Sequence, residues 1–95
     1  MKAWRDFEWD DAKAARNLVK HGVPFTYAAG VFLDPQAIDI DASRPGDGEE
    51  RRKMIGMIEG RIYSIVYTER EDSIRLISAR RCNAKEERLY GPVQT

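Results

Sequence analysis

The hydrophobic period of this chain changes once, from 3.6 residues to 2, at Asp34-Pro35. A helix-period pattern cannot settle as a strand, nor the reverse, so this switch divides the chain into a helical first third and a sheet-forming remainder. Before it, Phe7 and Trp9 alternate with Glu8 in a short extended segment, and Asp10 is placed to cap a helix running to about His21. Ala12, Ala15, Leu18 and Val19 line one face of that helix, and Lys20 and His21 sit in its last turn, where cations suit the dipole. Gly22 suits the left-handed C′ position and Pro24 stops immediate resumption. Phe25, Ala29 and Phe32 then predict a second, shorter helix starting at Thr26 and ended by Asp34-Pro35.

Beyond the switch, Ile38 and Ile40 alternate with Asp39 and Asp41 as a strand, and residues 42–48 form a loop rich in Gly, Asp and Pro. Residues 52–59 and 62–70 read as strands joined by a tight turn at Glu59-Gly60-Arg61, the second apolar or neutral on both faces as a central strand is. After a turn at Glu71-Asp72-Ser73 the last strand, 74–81, sets Leu76, Ser78 and Arg80 opposite Arg75, Ile77, Ala79 and Arg81. Asn83 with Glu86 has the form of a capping box, which opens a final helix to Tyr90 that Gly91-Pro92 ends. The expected fold is α+β. Two N-terminal helices pack on an antiparallel β-meander of about four strands, with a short C-terminal helix, as one domain over residues 1–95.

Composition removes several classes of function. Hydrophobic residues make up 42% of the 95, enough for a small core despite 34% charged residues. One cysteine, Cys82, and one histidine, His21, exclude an internal disulfide and a four-ligand zinc site, and Cys82 reads as an idle or buried thiol. There is no apolar run of membrane length and no signal-like N-terminus, so a soluble cytoplasmic protein is expected. Asp39, Asp41, Ser43, Asp47 and Glu50 imitate the spacing of a calcium loop, but Arg44 stands where the sharp turn needs glycine and Pro45 follows it. An acidic solvent loop is the better reading. Walker, G-x-G-x-x-G, G-x-S-x-G and H-E-x-x-H motifs are absent.

Zero net charge conceals an asymmetry. Residues 1–50 carry six Lys/Arg and ten Asp/Glu, and residues 51–95 the reverse balance, ten and six. Arg61, Arg70, Arg75, Arg80 and Arg81 fall on two adjacent strands, with Lys20-His21 elsewhere. Cleavage of RNA through the ribose 2′-hydroxyl needs a base, cations against the phosphorane and an acid for the leaving oxygen, and no metal. Arginine suits the second task because its planar fork holds two phosphate oxygens. His, Glu or Tyr can move the protons, and Tyr67 or Tyr90 could stack on an extruded base. The opposing reading is that these arginines face water and pair with Glu59, Glu69 or Glu71, and that His21 merely complements a helix dipole.

A family resemblance favours the first reading. Phe7-Glu8-Trp9-Asp10, Lys13, Asn17 and Lys20-His21-Gly22-Val23 resemble the opening signature of the BrnT family of bacterial toxins. Phe25, Ala29, Val31-Phe32, Asp34-Pro35, Glu49-Glu50-Arg51, Ile55-Gly56 and Gly60-Arg61 continue the match. Val66-Tyr67-Thr68-x-Arg70, Arg75-x-Ile77-Ser78-Ala79-Arg80 and Glu87-Arg88-x-x-Tyr90 complete it, in order, over about residues 7–90. The resemblance implies a RelE-like fold and a cofactor-independent endoribonuclease toxin of a type II toxin–antitoxin pair. It also implies a DNA-binding BrnA-type antitoxin, two chains of each in the complex, which represses its own operon and so reaches operator DNA indirectly. The loop before Glu49-Glu50-Arg51 lacks the His-Ser pair frequent in the family. Placed on the matching motifs, the expected catalytic residues are His21, Glu59, Arg61 and Arg80. Lys20, Tyr67, Arg70 and Arg81 are the expected RNA-binding residues. The rival expectation is a noncatalytic corepressor that acts only with a DNA-binding partner.

Overall fold

The computed structural model describes residues 6–91. In chain order the elements are β1 (Asp6–Glu8), α1 (Asp11–His21), α2 (Phe25–Ala28) continuing as a 3-10 turn (Ala29–Leu33), and β2 (Ile38–Asp41). Then come β3 (Arg52–Ile58), β4 (Arg61–Glu69), β5 (Ser73–Arg81) and α3 (Ala84–Tyr90). The α+β class holds, but the sheet has five strands in the order β1-β5-β4-β3-β2, not about four. The extended segment around Phe7 is the extra strand, and it pairs parallel to the start of β5, Phe7 opposite Ile74, while every other pairing is antiparallel. Parallel pairing requires a crossover, and the chain from α1 to β4 supplies it.

Local signals set the element ends. The Asp10 carboxylate accepts from the N–H groups of Ala12 and Lys13 at 2.8 and 3.2 Å, and Gly22 takes φ +72° at the C-terminal end of α1. The capping box is complete: Asn83 accepts from Glu86 N, and Glu86 Oε1 accepts from Asn83 N. The second helix begins one residue earlier than expected and tightens to 3-10 geometry at Ala29.

The core lies between β3–β5 and the segment Val23–Val31, with Phe25, Ala28 and Val31 against Tyr63, Ile65, Tyr67, Leu76 and Ala79. Edge-on ring pairs fill it, Phe32 on Tyr67 and Tyr27 on Tyr63. The opposite face of the sheet carries Lys53, Ile55, Ser64, Val66, Ser78 and Arg80, because paired residues share a face. α3 packs there.

Two expectations about faces are corrected. The alternation along β5 breaks between Leu76 and Ser78, which pair with the consecutive residues Tyr67 and Val66. Ile77 is therefore an extra, bulged residue. Leu76, Ala79 and Arg81 face the helices, and Ser78 and Arg80 the other side. On α1, the apolar stripe points outward: Val19 is 89% and Leu18 47% exposed. The buried side is instead Asn17, whose amide binds the backbone of Ala79 in both directions.

Candidate active site

The β3–β4 hairpin turns through Glu59 and Gly60, at φ +52° and +81°. Two successive positive φ angles are what a two-residue hairpin between right-twisted strands requires, and Glu59 occupies one without being glycine. This turn places Glu59 and Arg61 at one end of the sheet, both exposed. Tyr63, two residues on, lies on the same face as Arg61 and directly opposite Arg81 of β5. The Arg81 guanidinium stands 6.0 Å from the centre of the Tyr63 ring.

Tyr27 of α2 meets this group from the helical layer, its ring 5.6 Å from Tyr63 and perpendicular to it. The neighbouring Tyr63 hydroxyl, burial and the Glu59 carboxylate together push the Tyr27 phenol up to about 12. Like any phenol it is protonated at neutral pH and has an O–H to donate, although the shift makes it a weaker acid than a free tyrosine.

His21 reaches the same end by register. β1 runs parallel to β5 with Glu8 beside Arg75, and farther on Asn17 binds Ala79, so the chain advances along β5 through α1. His21 lies one helical turn past Asn17 on its face, and Arg81 two strand residues past Ala79 on its face, both about 6 Å onward. Lys20 is exposed beside His21. Glu59, Arg61 and Arg81 thus share one end of the sheet with Tyr27 and Tyr63, and the advance of α1 along β5 carries Lys20 and His21 towards it. Neither tyrosine stood out in the sequence, where Tyr63 read as a strand face and Tyr27 fell between the apolar positions of its helix.

Arg80 points the other way. Its guanidinium grips Glu86 with both amino groups, Nη1 to Oε1 at 2.7 Å and Nη2 to Oε2 at 2.8 Å. Lys53 Nζ and Ser64 Oγ also donate to Oε2, at 2.9 and 3.3 Å. Burial alone would raise the Glu86 carboxyl, but Arg80, Lys53 and the Asn83 N–H outweigh it and hold it at about 2. A phosphate at Arg80 would have to displace a buried carboxylate. Burial, with Glu86 close by, pushes the Cys82 thiol up to about 11, the opposite of what a nucleophile needs.

Tyr67 and Arg70 lie towards the far end of β4. Tyr67 is 2% exposed, its ring in the core and its hydroxyl donating to Asp39 at 2.9 Å, so no ring face is open to a base. Tyr90 donates to Asp34 at 2.6 Å. Arg70 is exposed and sits 3.7 Å from Glu49. In the calcium-like loop, Asp39 also binds Arg52, Asp41 accepts from Ser43 N, and Asp47 accepts from Arg44 N. These carboxylates organise the loop and the edge of the sheet.

Comparison with known families gives the class of protein: a ribonuclease toxin of a type II toxin–antitoxin system. The matching family model is that of the ribonuclease toxin BrnT, it spans residues 9–86, and the chain belongs to this family. No curated protein sequence matches the chain. A type II toxin is one half of a pair, so the chain has an antitoxin partner. None of the described helices is long and apolar enough to cross a membrane.

Proposed function

We propose that this toxin is a metal-independent endoribonuclease that cleaves RNA by attack of the 2′-hydroxyl on the adjacent phosphate, at the end of the sheet marked by the Glu59-Gly60 turn. The observation that carries the reading is the meeting of Glu59, Tyr27, Tyr63 and Arg81 there. Arg61 and Arg81, with Lys20, hold the scissile phosphate and stabilise the charge that grows on its oxygens. His21 or Glu59 takes the 2′-hydroxyl proton, and Tyr27 returns one to the leaving 5′-oxygen. The products are a 2′,3′-cyclic phosphate and a free 5′-hydroxyl.

Arg80 enters as a positioning residue, holding α3 on the sheet through Glu86. Arg70, exposed just past the end of β4, binds RNA peripherally. In the cytoplasm a BrnA-type antitoxin covers the toxin as a complex of two chains of each, and that complex represses the operon.

The test is in vitro cleavage of an RNA and of the same RNA with 2′-deoxyribose at the mapped cut. Cleavage of the first alone, with a cyclic phosphate end and in the presence of chelator, is the expected result. Cutting of the deoxy substrate overturns the mechanism. Folded protein that leaves all RNA intact and permits normal growth on expression points instead to the corepressor role.

A further inference from the structure

On the sheet face opposite the proposed catalytic end lies a groove of about 350 Å³. Its floor is Val66 with Ile77 and Ser78, and its rim is Arg44, Arg51 and Lys53. The bulge in β5 makes this floor: without it, Ile77 would not share a face with Ser78.

The rim is held in place. Ser43 Oγ accepts from Arg51 N at 2.8 Å and donates to Arg51 O at 3.2 Å, and Arg44 and Asp47 close the loop with two backbone-involving bonds. The three cations are under-neutralised. Arg44 and Arg51 share one carboxylate, Asp47, at 3.7 and 3.9 Å, and Lys53 shares Glu86 with Arg80. Arg51 Nε is buried and finds no hydrogen-bond partner among the described residues. The 3.9 Å from Nε to Asp47 is too long for a hydrogen bond, so the Arg51 guanidinium keeps unused donor capacity at the rim of the groove.

We infer that this groove binds an acidic, partly apolar polypeptide segment of the antitoxin, its carboxylates on Arg44 and Arg51 and its apolar side chains on Val66 and Ile77. The inference rests on the chain being half of a toxin–antitoxin pair, and on nothing about how RNA is cut. Two features favour peptide over RNA. The floor is aliphatic and the lining has no aromatic ring on which a base could stack. The groove is also on the reverse of the sheet from Tyr63 and Arg81, off the path of a strand lying across them. A segment held here tethers the antitoxin without having to fill the catalytic end.

Fluorescence anisotropy with the full chain tests this, using a labelled hexapeptide that alternates glutamate and leucine. Controls are its lysine–leucine counterpart and a hexauridine RNA as competitor. The acidic peptide should bind, bind more weakly in high salt, and lose about tenfold or more in affinity with Arg44→Glu or with Ser78→Trp, which fills the floor. Arg44 is 71% exposed, so its variant should fold like the parent. RNA cleavage should be unchanged in both variants, which separates this result from the fate of the catalytic reading. Equal binding of the basic peptide, unchanged affinity in both variants, or displacement by hexauridine at lower concentration than by unlabelled peptide overturns the proposal.

Discussion

Asn17 and Ala79 are 62 residues apart in sequence and joined by two hydrogen bonds: Asn17 Oδ1 accepts from Ala79 N at 3.0 Å and Asn17 Nδ2 donates to Ala79 O at 2.8 Å. β1 covers the outer edge of β5 only along Ser73–Arg75, so among the described residues Ala79 has β4 on one side and no strand on the other. The Asn17 amide takes the place of one, and its second N–H reaches Val23 O at 3.1 Å, fastening the chain where it leaves α1. Asn17→Ala leaves buried backbone groups unpaired and should cost about 2–4 kcal/mol, read as a lower urea midpoint at unchanged m-value. Asn17→Asp should fare no better, since a carboxylate can accept from Ala79 N but cannot donate to either carbonyl. A stable Asn17→Leu variant would show that this face of α1 needs only bulk.

Glu86 gives the fold an acid sensitivity with a defined sign. Its folded pKa of about 2 is below the ordinary carboxyl value of 4.5, so the unfolded chain binds protons first as the pH falls. The stabilisation is complete above about pH 4.5 and disappears towards pH 2, with a total of about 3 kcal/mol. Other depressed carboxyls, among them Asp34, act in the same direction, so the decisive quantity is the difference from Glu86→Gln. The parent should lose its advantage over that variant across this window. Parallel stability curves would show that the ion pairs contribute nothing.

Arg80→Ala separates positioning from catalysis. Removing one partner of a buried, paired carboxylate costs about 3–5 kcal/mol. Loss of cleavage in this variant should therefore accompany a lower melting temperature and fall away when the protein is assayed cold or with Arg80→Lys. By contrast, Arg61→Ala and Arg81→Ala should reduce cleavage by about 10²–10³ with the melting temperature little changed, since both side chains are exposed. If Arg80→Ala abolishes cleavage at full stability, Arg80 touches the substrate and the site extends through the sheet.

Gly56 lies under the 3-10 turn. A Cβ there would stand 2.8 Å from Val31 Cγ1 and 3.0 Å from Ala37 Cβ, and backbone at Val31 is also close. Gly56→Ala should destabilise the domain by about 1–3 kcal/mol, measured by chemical denaturation, although alanine suits a strand better than glycine does. Val31→Ala in the same chain should recover part of that loss. Additive losses would mean that the backbone contact, not the valine methyl, sets the limit.

The helix caps, the turn at Glu59-Gly60, the central place of β4 and the switch of period were legible because each depends on neighbours in sequence. What was not legible depends on partners far away. The outward apolar stripe of α1 looks like a core face until the outer edge of β5 at Ala79 is seen to lack a strand among the described residues, which makes polar Asn17 the buried residue. Tyr67, equally plausible as a stacking ring, is claimed by Phe32 and Asp39. Strict alternation along β5 groups Arg81 with Arg75 and Ile77, whereas the bulge groups it with Leu76 and Ala79. That change of side moves Arg81 to the proposed catalytic end and gives Arg80 to Glu86.

The bulge itself is open to test. Leu76 pairs with Tyr67 and Ser78 with Val66, so deletion of Ile77 removes the extra residue and leaves every other pairing of β5 in register. Deletion inside a central region of sheet normally destroys a small domain, because all later side chains change face. Here Ala79 should stay buried on Asn17, Arg81 beside Tyr63 and Arg80 on Glu86. The deletion variant should therefore unfold cooperatively, with a loss of about 1–3 kcal/mol from altered twist and lost apolar contact, and should still cut RNA. Deleting Arg80 instead moves Arg81 to the α3 side and should abolish both the fold and cleavage. Failure of the Ile77 deletion to fold, at a temperature where Asn17→Ala does, would show that the strand needs its bulge for curvature and not only for register.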